Sequence, residues 1–174
     1  MEIREAIDLI RFTPAKEQVQ TWADLGCGAG VFTRALASLL PEGSRIHAID
    51  TDEKAIAKIP DSCHEVDIEK TVLDFTSNNV VLSQVDGIMM ANSLHYVKEK
   101  EPFLKRMMDA LKTGGYFLLV EYDIARFNRW IPYPLPVAAA EQLFLRCKAK
   151  SFNLLNRRKS AFGDRWMYAA LIVK

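Results

Sequence analysis

The segment Asp24–Gly30 constrains the fold of this chain more than any other feature. Its sequence, DLGCGAG, places three glycines between a short apolar segment, Thr21–Leu25, and an apolar helical segment, Val31–Leu40. Where a strand turns sharply into a helix, glycines allow the backbone to adopt positive φ or to lie against a ligand. The segment therefore predicts the strand–loop–helix unit found in nucleotide-binding α/β sheets.

Short apolar strands alternate with helical stretches along the chain, which indicates a parallel α/β sheet. Helices are predicted at Val31–Leu40, Glu53–Ile59, Pro102–Leu111 and Val137–Lys150, and parallel strands at Thr21–Leu25, Arg45–Asp50, Lys70–Phe75, Val85–Ala91 and Tyr116–Glu121. Two more strands, Ser151–Ser160 and Trp166–Val173, should pair antiparallel because only a short Gly163-Asp164 turn joins them. We expect a Rossmann-like α/β sheet of seven strands, five parallel and two in a C-terminal antiparallel hairpin, with helices on both faces.

Length and composition predict a single domain over residues 1–174, with 49% apolar and 26% charged residues. Residues 1–20 are expected to form a helical cap with Ile3, Ile7 and Ile10 on one face. The segment 124–138 is rich in proline and aromatic residues, and we expect it to form a loop on the substrate side.

The composition also favours a cytoplasmic protein. No apolar run is long enough to span a bilayer, and the first residues lack a signal-peptide pattern. The three cysteines, Cys27, Cys63 and Cys147, fit neither a disulfide framework nor a C-x-x-C metal site. A reducing compartment is therefore expected, with no membrane association.

The glycine spacing and the acid before it argue against a dinucleotide cofactor. The dinucleotide fingerprint is G-x-G-x-x-G, whereas Gly26, Gly28 and Gly30 are spaced G-x-G-x-G and Val31 stands at the third fingerprint position. A carboxylate at Asp24 would repel a pyrophosphate but could attract an ammonium or sulfonium group. A nicotinamide oxidoreductase is disfavoured, and a cationic nucleoside ligand is favoured.

With its acid and its G-x-G-x-G spacing, the segment Asp24–Gly30 resembles the signature loop of class I S-adenosylmethionine-dependent methyltransferases. Val85–Val97 resembles the family's fourth-strand motif, which ends in a Leu-His pair, and Leu111–Phe117 resembles its helix-to-fifth-strand turn, with Thr113 where the family usually has proline. Ala91–His95, Val120–Tyr122 and Trp130–Pro134 together resemble a group of small bacterial methyltransferases. The resemblance covers residues 20–122 and, in outline, the final hairpin. It implies S-adenosylmethionine as cofactor, S-adenosylhomocysteine as product and methyl transfer by direct displacement.

The resemblance also implies roles for individual residues. The acid and glycines of the loop would hold the methionine half, Asp50 the ribose hydroxyls and Asp74 the adenine amino group. Asp50 has an alternative role as a helix N-cap, and Asp67 is a rival to Asp74, although Asp74 leaves the shorter loop before the fourth strand. The cofactor-binding residues expected are Asp24, Gly26, Cys27, Gly28, Gly30, Asp50, Thr51, Asp74, Phe75, Asn92 and Ser93.

The acceptor side is less constrained. His95 is a candidate general base or, alternatively, a hydrogen-bonded residue that shapes its loop. Glu121 is predicted to face the edge of the cleft, where it could orient an amine or hydroxyl or serve a structural role. Candidate substrate contacts are Tyr96, Tyr122, Trp130 and Tyr133. The histidines, His47, His64 and His95, are scattered, so no metal is expected.

The charge is unevenly distributed along the chain. Residues 142–174 hold eight Lys or Arg and one acid, Asp164, whereas the whole chain has a net charge of +1. A basic region can recruit nucleic acid or can be a solvated face. An unidentified small-molecule acceptor is the leading expectation. The alternatives are a nucleic-acid (RNA) methyltransferase and a non-catalytic nucleoside-binding protein, and neither a monomer nor a homodimer is favoured.

Overall fold

A computed structural model describes residues 1–13, 18–77, 80–160 and 165–174. Its helices are α1 (Ile3–Ile10), α2 (Val31–Ala37), α3 (Glu53–Ile56), α4 (Lys100–Ala110) and α5 (Val137–Arg146), with a short 3-10 turn at Leu94–Tyr96. Its strands are β1 (Thr21–Leu25), β2 (Arg45–Asp50), β3 (Ser62–Cys63), β4 (Val66–Val72), β5 (Val85–Ala91), β6 (Leu111–Tyr122), β7 (Ser151–Lys159) and β8 (Trp166–Val173). The predicted Gly163-Asp164 turn lies outside the described residues.

The strands form one sheet in the order β3-β4-β2-β1-β5-β6-β8-β7. Strands β4, β2, β1, β5 and β6 run parallel, and β8 pairs antiparallel with both β6 and β7. The predicted parallel sheet with a C-terminal antiparallel hairpin is therefore confirmed. An eighth strand, the two-residue β3, pairs antiparallel with β4 at the sheet edge and was not expected.

The third parallel strand differs from the prediction. It is Val66–Val72 rather than Lys70–Phe75, because buried Val66 and Ile68 alternate with exposed acids and fit a strand with one covered face. Asp67 lies near the start of β4, in register with Arg45 of β2. Asp74 follows the carboxyl end of β4.

The other differences are at the ends of elements. β6 begins at Leu111, which pairs with Val85 before a register shift, and the predicted turn at Gly114 lies inside this longer strand. All four predicted helices end earlier than expected, at Ala37, Ile56, Ala110 and Arg146, and α4 also begins two residues earlier, at Lys100.

Two apolar layers cover the two faces of the sheet. Side chains alternate between them along each central strand: in β6, Phe117 packs on the side of α4 and α5, whereas Leu118 packs on the side of α1 and α2. In β1, Trp22 lies on the α1 side and is fully buried. Parallel pairing with helices on both faces places the carboxyl ends of β1, β2, β4, β5 and β6 along one edge.

The segment 124–136 has no helix or strand, and hydrogen bonds from the segment and between the residues that flank it fix its position. The Tyr168 hydroxyl donates to the Leu135 carbonyl at 2.8 Å, Val137 N–H donates to Asp123 Oδ1 at 3.0 Å, and Tyr133 N–H donates to the carbonyl of His95 at 3.1 Å. Burial, and then the charges of Glu121 and Asp123, raise the pKa of Tyr168. In the described parts of the chain, no helix is long and apolar enough to cross a bilayer.

Candidate functional site

The glycine loop leaves β1 and turns back over the end of β2. Gly26, Gly28 and Gly30 all have positive φ, and Gly26 N–H donates to the carbonyl of Ile49 at 2.8 Å. A Cβ atom on Gly26 would lie 2.5 Å from the Cβ of Ser93, whereas one on Gly28 would have no heavy atom within 4 Å. The loop therefore needs glycine at 26 for close packing, and it leaves open space beside Gly28.

Two other loop residues pack inward. Gly30 starts α2, and a Cβ there would meet Ile59 at 2.7 Å. Cys27 is 8% exposed and packs with Ala48, Ile56 and Ile68. Burial is the main cause that raises the pKa of the Cys27 thiol, so this cysteine is a packing residue beneath the loop and does not line its cavity.

Asp24 lies beneath the loop rather than in the cavity. Its side chain is fully buried, and the Thr33 hydroxyl donates to its Oδ2 at 2.6 Å. Its Oδ1 has no hydrogen-bond partner among the described residues. Burial, with a smaller contribution from the charge of Asp50, raises the pKa of Asp24 to about 7, and the Thr33 hydrogen bond opposes this increase.

A cavity of about 550 Å³, the loop cavity, opens at the carboxyl ends of β1, β2, β4 and β5. Its size lies within the ~300–1,000 Å³ range of small-molecule sites. It brings together seven of the eleven cofactor-binding residues predicted from the sequence. The lining residues are Gly26, Asp50, Thr51, Asp74, Phe75, Thr76, Asn92, Ser93 and Tyr96.

Asp50 lines the loop cavity and also holds the glycine loop. Its Oδ2 accepts the N–H of Gly28 at 2.7 Å, and its Oδ1 accepts the N–H of Asp52 at 2.9 Å. The helix N-cap is Asp52, which accepts the N–H of Ala55, so the alternative N-cap role of Asp50 is not needed. Each oxygen of an ionised carboxylate can accept a second hydrogen bond. Asp50 therefore retains acceptor capacity on both oxygens.

Asp74 and Phe75, in the segment after β4, also line the loop cavity. Asp74 Oδ1 accepts both the N–H and the hydroxyl of Thr76, at 2.8 Å and 2.7 Å, which leaves Oδ2 for another donor. Phe75 is 8% exposed and packs edge-on against Phe103. Thr76 was missed in the sequence, although an acid two residues before a threonine is a recognisable turn signal.

The turn after β5 contributes residues to the loop cavity and to a second cavity beside it. Asn92 has a φ of +56°, and its buried Oδ1 has no partner among the described residues. The Ser93 hydroxyl donates to the Leu25 carbonyl at 2.6 Å and so joins β5 to β1. Asn92 and Tyr96 line the loop cavity and also a second cavity.

This second cavity, the aromatic cavity, has a volume of about 470 Å³. Its walls are mainly apolar and aromatic. The lining residues are Asn92, His95, Tyr96, Tyr122, Trp130, Ile131 and Arg165. Tyr133, also expected at the substrate, lines a neighbouring cavity on which Tyr96 borders. Ile131 and Arg165 carry no local sequence signal that could have identified them.

His95 and Glu121 form a buried pair, of which His95 lines the aromatic cavity. His95 is 2% exposed and Glu121 is fully buried. Glu121 Oε2 lies 2.8 Å from Nδ1 of His95, and Oε1 accepts the His95 backbone N–H at 3.0 Å. The expectation that Glu121 faces the cleft edge is wrong, because its carboxylate points beneath His95 and holds the imidazole in place.

Lys100 lies close to this pair and makes two contacts with neighbouring residues. Lys100 Nζ donates to the Val97 carbonyl at 2.8 Å and lies 5.4 Å from the centre of the Tyr133 ring. Burial lowers the pKa of Lys100, and the charge of Glu121 opposes that shift. Among the described residues, no group of three or more His, Cys, Asp or Glu is arranged to hold a metal ion.

Comparison with known proteins agrees with this geometry. Residues 23–117 match the family model described as a methyltransferase domain. The chain belongs to the class I S-adenosylmethionine-dependent methyltransferases. The resemblance predicted from the glycine loop is therefore confirmed at the level of family and fold.

Individual relatives of this methyltransferase differ in what their names say they modify. Malonyl-[acyl-carrier protein] O-methyltransferase 2 of Coxiella burnetii is 26% identical over 159 residues, which cover 87% of this chain and 62% of the relative. Ribosomal RNA small subunit methyltransferase C of Acinetobacter baylyi is 31% identical over 144 residues, covering 74% of this chain and 38% of the relative. The chain thus spans less than two thirds of these relatives.

A solved structure shares the fold over nearly its full length. The S-adenosylmethionine-dependent methyltransferase from Methanosarcina mazei superposes with a TM-score of 0.66 at 20% identity, covering 90% of this chain and 92% of that chain. At this identity the likeness establishes the fold alone.

Proposed function

We propose that the protein transfers a methyl group from S-adenosylmethionine, bound in the loop cavity, to a small molecule bound in the aromatic cavity. The observation that carries the proposal is that the two cavities adjoin and share Asn92 and Tyr96. A donor and an acceptor held in adjoining cavities meet at the shared wall, and alignment of this kind is the main contribution a protein makes to direct displacement.

The residues of the loop cavity fit a nucleoside with a cationic amino-acid tail. Asp50 would accept the ribose hydroxyls with its remaining acceptor capacity. Asp74 would accept the adenine amino group, and Phe75 would pack on the ring. The backbone around Gly26 and Gly28 would hold the methionine part, beside the open space at Gly28. When bound, S-adenosylmethionine supplies a methyl carbon activated by a sulfonium sulfur.

The distribution of the basic residues favours a small-molecule acceptor over RNA. Three of the eight basic side chains in residues 142–174 lie within ion-pair distance of acids outside that region: Arg146 with Glu101, Arg157 with Asp123 and Arg158 with Glu5. Lys174 donates to the carbonyls of Asp109 and Leu111. At least four of these eight basic side chains thus have partners within the fold, which weakens the attraction for phosphates.

Binding experiments test the cofactor first. Thermal shift and calorimetry with S-adenosylmethionine, S-adenosylhomocysteine and NADH should show stabilisation by the first two ligands. Asp50→Ala should weaken that binding, whereas Asp67→Asn, an exposed change on β4, should not. Stabilisation by NADH alone would contradict the proposed cofactor.

A labelling experiment tests the acceptor. The protein is incubated in a lysate with S-adenosylmethionine that carries a labelled methyl group, and the lysate is then fractionated. Label should enter the small-molecule fraction. Label in ribonuclease-sensitive material would instead support RNA methylation, and cofactor binding without uptake into any fraction would support a non-catalytic protein.

A further inference from the structure

We propose that the aromatic cavity takes a planar hydroxyl compound that carries a carboxylate, and that His95 accepts the hydroxyl proton during methylation. The inference rests on the proposed function and adds the chemical class of the acceptor. It depends on three features of the cavity: the His95–Glu121 pair, the aromatic walls and Arg165.

Glu121 fixes which nitrogen of His95 can accept a proton. A neutral imidazole carries hydrogen on one ring nitrogen, and an ionised carboxylate can only accept. Because Glu121 Oε2 lies 2.8 Å from Nδ1, the hydrogen belongs on Nδ1 and Nε2 is left as the acceptor. The ring lines the aromatic cavity, so Nε2 is the ring nitrogen available to a bound molecule. Glu121 is a positioning residue that acts through His95.

A buried base beside the bound molecule favours some methyl-accepting groups over others. A carboxylate acceptor is already ionised at neutral pH, and a neutral amine can attack before it loses a proton. A hydroxyl group, by contrast, must lose its proton as its oxygen becomes bonded to carbon, and a positioned base contributes to this step. The pair formed by His95 and Glu121 therefore favours O-methylation of a hydroxyl compound.

The walls of the cavity favour a flat and anionic molecule. Tyr96, Tyr122 and Trp130 provide aromatic faces on which a planar ring can stack. Arg165 is the one described lining residue with a permanent charge, and the described residues provide no carboxylate within ion-pair distance of it. A guanidinium group binds a carboxylate through paired hydrogen bonds. A cationic amine would instead be repelled at this wall.

Several titratable groups of the described residues lie around His95. Its ring centre lies 4.4 Å from that of Tyr96 and 6.4 Å from that of Tyr122, and Arg165 lines the same cavity. The carboxylate of Glu121 is hydrogen-bonded to Nδ1 of His95. Burial lowers the pKa of Lys100 and raises that of Tyr168, and the charge of Glu121 acts to raise both pKa values. These groups can contribute to the pH dependence of the reaction together with His95.

The proposed step balances as follows. The acceptor hydroxyl gives its proton to Nε2 of His95 as the oxygen lone pair forms a bond to the methyl carbon. The carbon–sulfur bond breaks with its electron pair on sulfur, which turns the sulfonium into a neutral thioether. The imidazolium, held by Glu121, then releases its proton to solvent, so that one proton leaves for each methyl group transferred.

Paired acceptors test the role of His95. The probes are 3-hydroxybenzoate and 3-mercaptobenzoate, whose thiol is largely ionised at mildly alkaline pH and needs no base. His95→Gln should lower the methylation rate of the hydroxyl probe by about 10²-fold or more and that of the thiol probe by much less. In the variant, the hydroxyl rate should recover as pH rises toward the pKa of a phenol, about 10. Equal losses with both probes, or no loss with either, would overturn the proposal.

The tautomer can be measured without turnover. In wild type, the nitrogen chemical shifts of the neutral His95 ring should show hydrogen on Nδ1. Glu121→Gln retains the size of the side chain. With its oxygen kept on the His95 backbone N–H, the amide NH₂ faces Nδ1 and should move the ring hydrogen to Nε2. An unchanged tautomer together with an unchanged hydroxyl rate would show that Glu121 is not a positioning residue.

Calorimetry in the presence of S-adenosylhomocysteine tests Arg165. Arg165→Gln should weaken binding of 3-hydroxybenzoate about tenfold or more but change binding of 3-hydroxybenzamide little. Lys150→Gln, an exposed change in the same basic region, is the matched control. Failure of wild type to bind 3-hydroxybenzoate while it binds S-adenosylhomocysteine would overturn the acceptor class alone. Failure of wild type to bind S-adenosylhomocysteine would instead contradict the proposed function.

Discussion

The substitution Asp24→Asn is predicted to reverse its effect on stability as pH rises. Asp24 is fully buried, and burial raises its pKa from the ordinary value of 3.8 to about 7. Between these two values, the folded protein holds a proton that the unfolded chain releases. The contribution of this carboxyl to stability is therefore present below the unfolded pKa and is lost as pH rises through the folded pKa.

The size of the effect follows from the same values. At about 1.36 kcal/mol for each unit of pKa, the rise from 3.8 to about 7 removes up to about 4 kcal/mol by about pH 8. In the variant, the asparagine oxygen can keep the Thr33 hydrogen bond, and its NH₂ lies where Oδ1 has no described partner. An unsatisfied buried donor costs about 1–3 kcal/mol. At pH 4 the wild type has lost only ~0.6 kcal/mol of this contribution. Asp24→Asn should therefore destabilise the protein there by about 0.5–2.5 kcal/mol and stabilise it near pH 8 by about 1–3 kcal/mol.

Thermal unfolding of both proteins across this pH range measures the effect. For a chain of this length, ~1 kcal/mol moves Tm by about 2–4 °C, so the difference in Tm should change sign between about pH 4 and about pH 8. Asp67→Asn removes an equal charge from an exposed position on β4 and should give a difference in Tm that barely depends on pH. A difference for Asp24→Asn that is equally flat would refute the assignment of a protonated, buried carboxyl beneath the loop.

Three further results are expected. Gly26→Ala should lower Tm by several degrees more than Gly28→Ala, because a Cβ at 26 would lie 2.5 Å from a neighbouring side chain and one at 28 would meet nothing within 4 Å; equal losses would contradict the close packing. Asp50→Ala should weaken calorimetric binding of S-adenosylhomocysteine by about 10- to 100-fold but that of its 2′,3′-dideoxy analogue much less, and equal weakening would assign Asp50 to loop structure alone. Tyr168→Phe removes the donor to the Leu135 carbonyl and should reduce the free energy of unfolding by about 1–3 kcal/mol in chemical denaturation; no change would show that this bond does not hold the segment.

Much of the sheet could be predicted because its signals are local. Thr21–Leu25, Arg45–Asp50, Val85–Ala91 and Trp166–Val173 have the bounds expected from the sequence, since each is a short apolar or alternating run between turn residues. The third strand was misplaced because the apolar residues after Lys70 gave a stronger signal than the weak alternation of Val66–Val72. Edge regions with one exposed face have diluted patterns, and their pairing depends on the neighbouring strand.

In the candidate site, the sequence predicts the position of a side chain that lies at the end of a strand. It does not predict a position that depends on packing against distant residues. Asp50 is the last residue of β2 and Asp74 follows the carboxyl end of β4, so strand order alone places them together at the loop cavity. Glu121 also ends a strand, but which way its side chain points depends on the turn after β5, which no local pattern specifies. The burial of Asp24 likewise depends on Thr33, a partner nine residues away on α2.

The turn after β5 links the loop cavity to the aromatic cavity. Within Asn92–Tyr96, the hydroxyl of Ser93 is bonded to the carbonyl at the end of β1, and the backbone and ring of His95 are bonded to the carboxylate at the end of β6. One short segment, fixed at both ends by buried hydrogen bonds, thus sets the distance between the two cavities. Because displacement at carbon is sensitive to small errors of alignment, the rigidity of this segment matters more to the proposed reaction than any single contact to the acceptor.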